Sequence, residues 1–286
     1  MKRTVFIAAT FVFAITMLVA NTNPISNVDM VLVKGGEFQM GNTRGDPEGY
    51  EDELPIQTVL LTYDFWIGRY ELTFEEYDSF TDDMGLERAN DMGWGRERRP
   101  VIQVSWYDAI AYCNWLSEKH GLKPAYDQEG TLLDIYGEPT SDISRVEGFR
   151  LPTEAEWEYA GRGGHKSEVD YRYAGSNDIE EVAWYWYNWG MAQEKTQVVG
   201  RKKPNELGLF DMSGNVWEWC YDWYDREYYS DEPKTNPIGP AQGERKVRKS
   251  GSWYWVETVC RLAFRFGYEP DRQFINVGFR IARTDL

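Results

Sequence analysis

Residues 30–41, MVLVKGGEFQMG, alternate apolar and polar positions around a Gly-Gly bend, the period-2 pattern of a strand pair. Residues 57–72, QTVLLTYDFWIGRYEL, again read as strand. Three later stretches switch to helical spacing. Each opens with a capping box, in which a Ser or Thr hydroxyl and an acid three residues on satisfy each other's backbone N–H groups. Thr73 with Glu76 opens TFEEYDSF, Ser105 with Asp108 opens SWYDAIAYCNWLSEKHG, and Thr153 with Glu156 opens TEAEWEYAG. In the second, Trp106, Ile110, Cys113 and Leu116 share one face, which puts Cys113 in the core. Gly121 and Gly161 are the expected stops of the last two helices. Glu154 and Glu158 lie one turn apart on the third, as on a solvated face.

After residue 165 the periodicity breaks down into aromatic clusters: YRYAGS, VAWYWYNWG, VWEWCYDWY, GSWYW and AFRFGY. Short strands joined by long, tryptophan-packed loops are the expected structure. A helix-bearing first half followed by a helix-poor second, with no linker between, predicts one α+β domain, compact, loop-rich and low in regular structure. Its expected span is 30–286.

Composition narrows the partners. The chain has 286 residues, a formal charge of −16, 13 Trp and 19 Tyr. An acidic balance this strong excludes a nucleic-acid binder, because phosphate contacts need a Lys/Arg excess. The aromatic content excludes a disordered chain. Residues 1–20 read as a secretory signal: a basic MKR, then an apolar run over 4–20, with Ala20 before the cut. Residues 21–29 form a short segment after it. The expected location is therefore outside the cytoplasm, periplasmic or secreted, with membrane contact only through an uncleaved signal.

Cys113, Cys220 and Cys260 are far apart and form no CxxC, and His120 and His165 sit beside glycines at element ends. Neither set has the spacing of a zinc or thioredoxin-like site. From its surroundings alone, Cys260 in SGSWYWVETVCRLAFRFG is a redox centre, half of a metal site, or a small buried hydrophobe. The segment 204–225, PNELGLFDMSGNVWEWCYDWYD, places Asp211 and Glu218 seven apart around Gly214. Such a loop could bend two carboxylates and the carbonyls of Gly214 and Val216 around a hard cation, or simply carry solvated acids.

GLFDMSGNVWEWC, GFRLPTEAEWEYAGRGG and the terminal GSW…CR…GFRIAR resemble the formylglycine-generating enzyme (sulfatase-modifying factor) family, and MVLVKGGEFQMG, FWIGRYELTFEEY and RPVIQVSWYDAIAYCNWLS resemble its N-terminal blocks. The resemblance runs from about Met30 to Arg283. It implies a single fold related to C-type lectin domains and a calcium loop on Asp211, Gly214, Val216 and Glu218. The family's other calcium position falls at Val182 and Ala183, where valine offers no side-chain oxygen. The resemblance further implies an oxidase that converts a sulfatase cysteine to formylglycine with O2 and copper(I), held by two cysteines five apart. The second of these is Cys260, but the first falls on Trp255, while Ser252 and Trp217 match positions lining the oxygen pocket. An indole offers no thiolate to soft copper(I). Trp255 is expected to fill the space of the metal, and Cys260 to be a packed structural cysteine. The expected function is a calcium-stabilised binding or accessory module for a peptide, protein or glycan, a sulfatase among the candidates. The alternative is an active formylglycine-generating oxidase.

Overall fold

The structure is a computed structural model that describes residues 28–188 and 194–286. The export signal expected at 1–20, nearly all of 21–29, and the end of the YWYNWG loop lie outside the described residues. Among the described residues no helix is long and apolar enough to cross a membrane.

The Gly-Gly bend is a corner and not a hairpin. It separates β1 (Met30–Val33) from β2 (Gly36–Met40), and 57–72 divides likewise into β3 (Gln57–Leu61) and β4 (Phe65–Gly68). β1 pairs antiparallel with β4, Met30 opposite Gly68, while β2 pairs antiparallel with β3, Gly36 opposite Leu61. A Cβ on Gly35 would stand 2.6 Å from the Leu61 carbonyl oxygen and 2.7 Å from that of Tyr63, so the chain crosses between sheets there as bare backbone. Alternation reports which face of a strand is buried; it carries no information about which strand lies beside it.

All three capping boxes form. They open α1 (Phe74–Met84), α2 (Trp106–Lys119) and α3 (Glu154–Gly161), and a single turn, α4 (Ile179–Val182), follows. Gly121 follows α2 in the left-handed region at φ 70°. Gly161 is instead the last helical residue of α3, pressed against Leu262, and the left-handed residue is Gly163.

The solvated face expected on α3 is wrong. Every residue of the helix is buried, Glu154 and Glu158 at 1% and 0% exposure. Helical spacing marks acids as a surface when few bases face them, but here Arg162, one turn on, bonds Glu158 at 2.8 Å and further bases arrive from the far end of the chain. Arg265 forks onto Glu154 (2.7 and 2.8 Å), and Lys249 bonds Glu158 (2.9 Å).

The second half supplies β5 (Trp217–Trp223), β6 (Lys234–Thr235), β7 (Lys246–Lys249), β8 (Phe266–Tyr268), β9 (Val277–Gly278) and β10 (Ala282–Thr284). β10 joins β4, and β6 runs parallel to β3. The remaining four form a sheet in the order β8-β7-β5-β9. WEWCYDW alternates strictly along β5. Its aromatic side faces Lys246 and Arg248 of β7, and its Glu218 and Asp222 side faces α3. Cys113, Cys220 and Cys260 are all free and buried, each in a different hydrophobic cluster. The result is a single compact domain of mixed helix and strand, loop-rich as expected.

Candidate functional site

The Asp211–Glu218 loop is buried. Asp211 and Asn215 both take left-handed backbone, at φ 56° and 57°, and Gly214 between them at φ 82°. A Cβ on Gly214 would lie 2.3 Å from the Trp184 carbonyl oxygen, so the bend requires glycine. Asp211 is 2% exposed and Glu218 0%. Asp211 Oδ2 accepts the Gly200 N–H at 2.7 Å, and Oδ1 is buried with no partner. Ser250 Oγ donates to the Gly214 carbonyl at 3.0 Å. Glu218 Oε2 accepts from Trp157 Nε1 (2.8 Å) and Arg280 Nε (2.6 Å), and Oε1 accepts from Arg280 Nη2 (2.7 Å). One lone pair on Oε1 remains.

A third carboxylate joins them that spacing did not reveal. Glu71, 1% exposed, accepts Asn215 Nδ2 at 2.6 Å and the Val216 N–H at 3.0 Å. Burial first, then the charges of Asp211 and Glu218, push its carboxyl well above the ordinary range. Burial also raises Asp211, to about 6. Three buried carboxylates thus face one guanidinium, Arg280, and a cation would offset the surplus negative charge. Among the described residues no three His, Cys, Asp or Glu side chains converge tightly enough to hold a metal unaided. The residues fit a calcium ion that draws part of its shell from carbonyls, with the orphaned Asp211 Oδ1 as the open ligand. At the other position, Val182 is buried and the Ala183 carbonyl already accepts Asn188 Nδ2 at 2.9 Å.

Cys260 is 0% exposed, and its thiol has a long contact of 3.9 Å to the Val256 carbonyl and lies against the Ser252 backbone N–H. Burial pushes its pKa up to about 12. Trp255 does not fill a buried gap. Its ring is 46% exposed, because the 252–255 turn, closed by the Trp255 N–H on the Ser252 carbonyl at 3.0 Å, throws it outward. Ser252 is fully buried, its Oγ accepting from Asn276 Nδ2 at 3.1 Å.

Trp255 and Trp217 come together as walls of one cavity of about 310 Å³, completed by Tyr50, Tyr224, Arg248 and Phe264 among others. Among the described residues, Cys260 and Ser252 are not in its lining. Tyr50 comes from the far upstream part of the chain, beyond the reach of any local motif, and packs edge-on against Phe264 at 5.1 Å.

A mixed domain with an aromatic cavity beside a buried carboxylate loop is the layout, and comparison with known proteins places it. Residues 16–285 match the sulfatase-modifying factor enzyme 1-like domain, and the chain belongs to that family. It is 34% identical to the chaperone protein LppX of Paenibacillus barcinonensis over 99% of each chain. It is 31% identical to the formylglycine-generating enzyme of Streptomyces coelicolor, covering 91% of this chain and 90% of that one. Among solved structures, Treponema denticola variable protein 1 superposes with a TM-score of 0.72 at 32% identity, over 89% of this chain and 94% of its own.

Proposed function

We propose that this protein is a non-oxidase member of its family, an exported accessory module that binds a protein or peptide partner outside the cytoplasm and is stabilised by one calcium ion. The observation that carries the proposal is the state of the thiol pair. The position of one copper thiolate is occupied by a half-exposed indole, and the remaining thiol, Cys260, is sealed from solvent. Copper(I) binding needs thiolates. A buried thiol raised to about 12 ionises poorly at neutral pH, and Cys113 and Cys220 lie in other clusters. The full-length relative bearing the name of a chaperone favours a protein partner. The apolar run at 4–20 supports export.

Calcium would be held by Asp211, the carbonyls of Gly214 and Val216, and Glu218, with Glu71 adding charge behind them. When bound it supplies electrostatic compensation and ties the loop to β5. Arg280 orients Glu218, and Asn215 positions Glu71.

The test is metal content beside a peptide assay. The purified protein should contain calcium, bind no stoichiometric copper(I), and leave a Cys-x-Pro-x-Arg peptide unoxidised. Conversion of that peptide to the aldehyde, lost on Cys260→Ala, would overturn the proposal.

A further inference from the structure

Five arginines among the described residues are more than nine-tenths buried: Arg150, Arg248, Arg261, Arg265 and Arg280. Four of them fork onto a carboxylate with both contacts at 2.6–2.8 Å, namely Glu156, Glu53, Glu154 and Glu218. Arg248 is the exception. It is 6% exposed, its Nε is buried with no partner, and no carboxylate among the described residues pairs with it. Glu269, an acid nearby, reaches instead towards Arg245 at 3.5 Å.

Arg248 sits in the middle of β7, opposite Trp219 of β5 and Phe266 of β8. Its guanidinium carbon lies 5.3 Å from the Trp217 ring centroid, 5.6 Å from Trp219 and 4.6 Å from Tyr268. Ring faces attract a cation but leave its N–H groups without acceptors. A buried guanidinium in that state is costly unless something completes it. Burial accordingly lowers its pKa to about 9.

The same side chain lines the cavity of about 310 Å³. The other two arginines there are paired, and the one acid is hydrogen-bonded. Arg265 is held by Glu154, Arg226 by Glu51, and Asp52 accepts the Tyr224 hydroxyl at 2.6 Å. The cavity therefore offers one guanidinium with no carboxylate partner among the described residues, with Asp52 the one acid of the lining, in walls made mainly of aromatic rings.

We propose that this cavity binds a carboxylate borne on an apolar or aromatic body, with Arg248 receiving the oxyanion and the rings of Trp217, Phe264 and Trp255 holding the body. A planar carboxylate matches a guanidinium fork. A phosphate dianion would bring twice the charge towards Asp52 with the same single guanidinium to offset it. The assignment rests on the accessory-module function above and names the chemistry its ligand presents. A free small acid and the C-terminus of a partner chain share that chemistry.

Calorimetric titration of the full chain separates the cases. The probes are 3-phenylpropionate and a short peptide ending in phenylalanine, the latter as free acid and as C-terminal amide. The free acid should bind roughly tenfold to a hundredfold tighter than the amide, the range of a hydrogen bond to a charged group. Arg248→Leu should erase that preference while the free protein melts no lower than wild type, since an unpaired buried cation has been removed; a purely structural arginine would lower the melt. Tighter binding of the peptide acid assigns a chain terminus, and tighter binding of phenylpropionate a free acid. Equal binding of acid and amide to the wild type, or no binding of any probe, overturns the role of Arg248 without use of any variant. The peptide-oxidation assay on the same preparation reports separately on the accessory-module function.

Discussion

Replacing Glu154 by Gln tests whether α3 is held by internal charge. Arg265 Nε lies 2.7 Å from Glu154 Oε1 and Nη2 lies 2.8 Å from Oε2, with side-chain exposures of 0% and 2%. Without the carboxylate charge the guanidinium retains the carbonyls of Asp225 at 2.9 Å and Asp52 at 3.4 Å, and the ring of Tyr229 at 4.4 Å. Breaking one side of a buried pair costs ~3–5 kcal/mol, whereas the same change in a solvated pair costs ~0–1 kcal/mol. At ~2–4 °C per kcal/mol for a domain of this size, Tm should fall by roughly 6–20 °C. Melting followed by circular dichroism reads the shift, and urea unfolding checks that the slope m is unchanged. Glu154→Gln with Arg265→Met removes both charges and should recover part of the loss, giving a coupling above ~1 kcal/mol. A single-variant loss under about 2 °C, the value for a solvated acid, would refute the buried-pair reasoning.

Three further outcomes are expected. EDTA should lower Tm and calcium restore it, by ~2.7 kcal/mol at a hundredfold excess over Kd, and Asp211→Ala should melt alike with and without EDTA; an EDTA-insensitive wild type would rule out the site. Burial, then the Glu154 charge, raises the Asp222 carboxyl to about 8, so the folded state keeps a proton the unfolded chain releases near pH ~4. The stability this provides is full below that point and lost as pH rises through about 8; Asp222→Asn should flatten the fall in Tm between about pH 5 and pH 8, and parallel curves would contradict it. Finally, iodoacetamide at about pH 7.5 should label none of Cys113, Cys220 and Cys260 in the native protein and all three in denaturant, because each is buried; native labelling mapped by mass spectrometry to Cys260 would show an accessible thiolate.

What the sequence made legible was local. The capping boxes at Thr73, Ser105 and Thr153 involve residues three apart, and all three formed. The core face of α2, with Cys113 on it, follows from a period of 3.6 and is buried throughout. The Gly-Gly corner was visible as a bend, but its consequence was not, because pairing depends on residues 57–68 and 282–284 meeting in space.

Charge was misread for the same reason, and the error bears on the candidate site. An acid on a helix is assigned to solvent unless its base lies within a turn, and the base for Glu154 lies 111 residues away. Glu158 does have Arg162 one turn on, at 2.8 Å, but its second base, Lys249, lies 91 residues away. Glu71 is further still from the loop it joins, 144 residues from Asn215. Once the four Arg–Glu forks are known, the same bookkeeping turns productive. A fold that supplies a carboxylate to Arg150, Arg261, Arg265 and Arg280 and none to Arg248 has left one guanidinium for something outside the chain. That residue lies on β7 immediately before the GSW turn that carries Trp255. Trp255 and the arginine that lacks a counter-ion therefore line one cavity, so an exposed indole and an unpaired guanidinium act on the same space, an apolar wall beside a charge.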